Sequence, residues 1–156
     1  MPGQPMNATN QAITPELVSK IAHIAVLFRA EFCNAWIDLK PWLTDTETQR
    51  QLDPHSIDLS FHFSDGHIGF ACGCVLMQVR FSEGLLRPTC QLAAIEANGY
   101  DRAELQWEFS TVSGRFVGKC LPDQEYQSRF KRLVHSITRL FEFPNQARNH
   151  SDQHWC

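Results

Sequence analysis

Leu17, Ile21, Ile24, Phe28 and Phe32 recur at three- and four-residue intervals, the period of an amphipathic helix. Thr14 precedes them as a capping residue and Pro15 fits the first helical position. Pro41 cannot continue the pattern, so the spacing predicts a helix over 15–38. A short second helix is predicted over 46–52, closed by Asp53-Pro54-His55. The period then falls to two. Ile57, Leu59, Phe61 and Phe63 alternate with Asp58, Ser60 and His62, the mark of a half-buried strand. Asp65-Gly66 reads as a hairpin turn, and a long second strand follows over 68–81. Its apolar parity changes partway, from Phe70, Cys72, Cys74 and Leu76 to Val75, Met77, Val79 and Phe81. That change places a β-bulge around Gly73.

Two further strands are predicted over 90–97 and 103–111, joined through the turn signal Asn98-Gly99. That turn sets Ala94 opposite Ala103, Leu92 opposite Leu105 and Cys90 opposite Trp107. A five-residue loop would instead pair Ile95 with Leu105 and Ala93 with Trp107. Ser113-Gly114 turns into a fifth strand over 115–119. Pro122-Asp123 opens the last helix, whose stripe is Tyr126, Phe130, Leu133, Val134, Ile137, Leu140 and Phe141. Pro144 stops it. Phe28, Phe61, Leu105, Trp107, Phe130 and Leu133 are the expected core.

These elements imply an α+β fold of two layers. A five-stranded antiparallel meander sheet is packed by an N-terminal and a C-terminal helix. Residues 1–13 read as a flexible arm, 14–144 as a single domain and 145–156 as a disordered tail. In architecture alone the layout is similar to the helix-flanked sheets of secretion-chaperone-like proteins, and fold does not imply function.

Composition narrows the class. Of 156 residues, 43 % are hydrophobic and 20 % charged, a globular balance that supports a core without metal or disulfide staples. No apolar run is long enough for a transmembrane helix. The start, Met1-Pro2-Gly3-Gln4-Pro5-Met6-Asn7, lacks the basic and apolar regions of a signal peptide, so a cytoplasmic protein is expected. In that setting the sequons at Asn7 and Asn149 are chance matches, and the six cysteines are expected to be thiols. A net charge of −3 without like-charge blocks argues against a nucleic-acid binder.

No complete catalytic set stands out. Cys72-Gly73-Cys74 lacks the second pair that a zinc site needs, and two buried thiols are the plainer reading. His62 and His67 flank the expected turn. With Asp65-Gly66 as its loop they share a polar face, and Cys72 and Cys74 lie on the opposite one. His150, His154 and Cys156 would chelate only weakly as a tail. Glu104 and Glu108 share a strand face about 13 Å apart, too far to act together. Glu96 is expected to face Asp101 near the turn, or Glu104 in the other register. No nucleotide loop, nucleophile elbow or oriented triad appears, and the basic residues of the last helix read as a solvated face.

The aromatics near helix ends carry more. Trp36, Trp42 and Phe143 are candidate partner-binding anchors, because aromatic side chains dominate binding hot spots. The sequence therefore favours a non-enzymatic binding, assembly or regulatory factor with a protein partner and no cofactor. A regulator or enzyme using Cys72, Cys74, His62 and His67 on a metal is one alternative. A carrier holding a small ligand between sheet and helices is another, since glycine and alanine in the second and third strands would leave room.

Overall fold

The computed structural model describes residues 7–41 and 55–142. In chain order these form helix α1 (Ala8–Gln11), helix α2 (Pro15–Glu31), strands β1 (Ala35–Asp38) and β2 (Ser56–His67), a 3-10 turn (Ile68–Phe70), strands β3 (Cys72–Phe81), β4 (Leu92–Asp101), β5 (Glu104–Ser110) and β6 (Arg115–Gly118), and helix α3 (Gln124–Glu142). The strands make one open antiparallel sheet of six, in the order β1-β2-β3-β4-β5-β6. This is the predicted α+β meander with one strand more. The extra strand, β1, lies inside the stretch expected to be helical to residue 38. Helix α2 stops earlier, where Phe32 leaves helical backbone with φ of −132° and Cys33-Asn34 turns the chain. The short helix expected over 46–52 and the tail over 145–156 lie outside the described residues.

Thr14 caps α2 through its hydroxyl, which accepts from the Leu17 amide at 3.2 Å, with Pro15 in the first turn. Within the stretch read as an arm, Ala8 is buried and Asn7 bridges Asp58 beyond the end of β1. Helices α2 and α3 cover one face of the sheet. Between the layers lie Phe28, Phe61, Phe70, Trp107, Phe130 and Leu133, all essentially inaccessible to solvent. Leu105, expected in that core, is instead 38 % exposed, because it points to the other face.

Two turns differ from the pattern-based reading. Strand β2 runs through Asp65-Gly66 to His67, and the chain reverses at Ile68–Ala71, where Ala71 has φ of 60°. The irregularity in this pair lies opposite Gly73, and the extra residues are on β2, between His62 and His67. Likewise Asn98-Gly99 stays inside β4. The hairpin closes at Arg102-Ala103, whose φ values of 51° and 64° suit a two-residue turn. Trp107 therefore faces Gly99, and Leu105 faces Tyr100, so neither expected register holds. The reason is packing. A Cβ at Gly99 would fall inside the Trp107 indole, so this glycine admits the ring rather than making a turn.

Candidate functional site

The face of the sheet turned away from α2 and α3 carries the polar half of each strand. One row across it reads Trp36, His62, Cys74, Tyr100 and Leu105, each directly opposite the next on β1 to β5. The next row reads Asp38, Ser60, Leu76, Asn98, Glu108 and Val117. Asp38, Pro41, Ser60, His62, Cys74, Leu76 and Tyr100 enclose a shallow hollow of about 210 Å³ between these rows.

Trp36 is 53 % exposed, yet its ring stacks on His62 with centroids 4.3 Å apart and planes 15° from parallel. His62 Nε2 lies 3.0 Å from Ser60 Oγ and 3.9 Å from Cys74 Sγ. Partial burial lowers the His62 pKa, against a smaller upward pull from the Asp38 carboxylate. Burial pushes the Cys74 thiol up to about 11, with Asp38 adding to the shift. At neutral pH the pair thus rests as a neutral thiol beside a neutral imidazole. A thiol so placed is a poor nucleophile, because the thiolate is the attacking form.

The sequence reading put His62 and the cysteines on opposite faces, and for Cys74 the structure overturns it. Because β2 continues past Asp65-Gly66, His62 comes to lie directly across from Cys74. Cys72 remains on the core side, where burial pushes its thiol up to about 12. His67 pairs with Cys72 along the backbone. Of the candidate anchors, Trp36 stands at the rim of the hollow, while Trp42 and Phe143 lie outside the described residues. Tyr100 and Leu76 had gone unnoticed as site residues. Their place follows from the true β3–β4 register, which the misplaced Asn98-Gly99 turn had hidden.

The carboxylates sort differently from both expected arrangements. Glu96 faces Ser110 and Gln78, and its Oε2 sits 3.2 Å from Arg80 Nε. Asp101 faces Glu104 across the turn, and Glu104 is paired with Lys119. On β2 and β3 the same face buries a polar ladder: Ser56 donates to Asp58 at 2.6 Å, and Gln78 donates to its other carboxylate oxygen at 3.4 Å.

A second cavity, of about 320 Å³, lies at the end of the helix layer, walled by Leu17, Lys20, Phe81, Leu85, Arg87 and Phe141 among others. Over Gly99 the Trp107 indole fills the space, and Ala97 is buried. Among the described residues no group of three or more His, Cys, Asp or Glu side chains is placed to hold a metal ion, and no helix is long and apolar enough to cross a membrane.

A family model described as a domain of unknown function matches residues 9–143. Comparison with curated proteins and with solved structures returned no match.

Proposed function

The chain belongs to that family, and we propose that it is a protein-binding domain without turnover, which docks an extended partner segment on the open sheet face with Trp36 as anchor. One observation carries this reading: Trp36 is half-exposed and yet held by its stack on His62. A large aromatic already fixed in the free protein loses little conformational freedom on binding, which makes it an efficient anchor. The hollow beside it can seat one partner side chain against Pro41, Leu76 and Tyr100. Asp38 and Asn98 provide a polar rim, and Leu105 and Val117 extend the apolar contact along the face. The neutral state of His62 and Cys74 weighs against nucleophilic catalysis at the same place.

Selection from a random-peptide library on the immobilised domain tests the proposal. Selected peptides should bind Trp36→Ala at least about tenfold more weakly, the loss expected for a hot-spot aromatic. The thermal midpoint of the variant should stay close to that of the parent. Peptides that bind both proteins equally, or a variant that unfolds, would refute the assignment of Trp36 as an anchor.

A further inference from the structure

We infer that His62 and Cys74 form a two-donor site for a soft monovalent metal ion of the Cu(I) or Ag(I) class on the open face of the sheet. This inference stands apart from the docking reading and does not depend on it. An imidazole nitrogen and a thiolate sulfur are donors that a soft d10 ion prefers, whereas hard cations select oxygen. The two side chains come from directly opposed residues of neighbouring strands, so the sheet itself sets their separation.

That separation allows one ion to bridge the pair. Zinc–nitrogen and zinc–sulfur bonds sum to about 4.3–4.4 Å in a straight line and span about 3.6 Å at a tetrahedral angle. The observed Nε2 to Sγ distance of 3.9 Å lies between the two. A tetrahedral ion would also require further protein donors, and among the described residues no third His, Cys, Asp or Glu joins this pair. An ion satisfied by two donors at a wide angle fits what is present.

The surroundings favour a cation. Asp38 is near enough to act on both His62 and Cys74 through its charge. Trp36 covers one face of the imidazole, and the hollow leaves a path for an ion to enter. On binding, Ser60 Oγ gives up its contact with Nε2, the Cys74 S–H bond breaks with its proton passing to solvent, and nitrogen–metal and sulfur–metal bonds form. No oxidation is involved. Since the thiol starts protonated, affinity should rise with pH.

The test is an anaerobic Cu(I) titration of the full-length chain with Cys33, Cys90, Cys120 and Cys156 changed to serine, against a colorimetric Cu(I) chelator. One Cu(I) per chain should be retained, with one nitrogen and one sulfur neighbour by X-ray absorption. Cys74→Ser should abolish retention, and His62→Gln should weaken it at least about tenfold. Cys72→Ser should leave it unchanged. Should the quadruple variant not fold, the parent with its reactive thiols capped by iodoacetamide at neutral pH serves in its place. Retention that survives Cys74→Ser, equal affinity in His62→Gln, or no retention against the chelator would overturn the site.

Discussion

At the scale of single residues, the sheet is organised by what two glycines admit. Gly99 lies under the Trp107 indole, whose Nε1 donates to the Phe70 carbonyl at 2.9 Å, so the ring is held in place and cannot swing aside. Gly73, three strand positions from Leu76, faces open space. Gly99→Val should therefore lower stability by about 1–3 kcal/mol through overpacking. Gly73→Ala should change it by less than about 0.5 kcal/mol. Urea denaturation of both variants checks the contrast, and equal effects would refute it. The sequence marks both positions only as glycine. What separates them is a neighbour from another strand, and no local pattern carries that information. The same holds at His62 and Cys74, whose meeting depends on a register set by the extra residues of β2.

At the scale of elements, helices α2 and α3 were legible because their apolar stripes repeat over several turns, whereas the four-residue α1 lies in the stretch read as an arm and α2 ends at Glu31, short of the bound that Pro41 suggested. Phe130, Leu133, Val134 and Ile137 are buried as the stripe of α3 requires. Strand β1 was not legible. It has four residues, and it follows so closely on α2 that the apolar spacing runs into it. The hairpins were legible as hairpins but not at their turning points. Arg102 and Ala103 adopt left-handed backbone that ordinary side chains disfavour, while the better turn former, Asn98-Gly99, is used inside β4. The double change Arg102→Asn with Ala103→Gly should thus stabilise the protein by about 1 kcal/mol. A thermal midpoint above that of the parent would bear this out, and a lower one would contradict the turn geometry. Helices α2 and α3 are also tied directly. Arg129 pairs with Glu31 and lies 5.0 Å from the Phe32 ring centroid, within cation–π range.

At the scale of the whole molecule, the buried thiol of Cys72 links global stability to pH. A cysteine in the unfolded chain titrates near 9, and in the folded protein Cys72 is pushed up to about 12. Between those values the unfolded state binds fewer protons, so rising pH favours unfolding. The stabilisation is complete below about pH 9 and lost progressively toward pH 12, about 4 kcal/mol over the full range. From pH 8 to 10.5 the parent should lose about 2 kcal/mol more than Cys72→Ala does, measured by urea denaturation. Parallel losses in the two proteins would show that another group is responsible. The strand order has a consequence of a different kind. Every strand pairs with its neighbour in sequence, so the sheet can form in step with the chain's emergence from a ribosome. The apolar face it makes is completed only by α3, whose Arg129 bonds the Glu31 carbonyl 98 residues earlier. During synthesis the part of that face beyond α2 stays uncovered until the last described helix is out, and a nascent chain halted after β6 would present Trp107, Phe109 and Phe116, the rings that pack on Phe130, to whatever it meets.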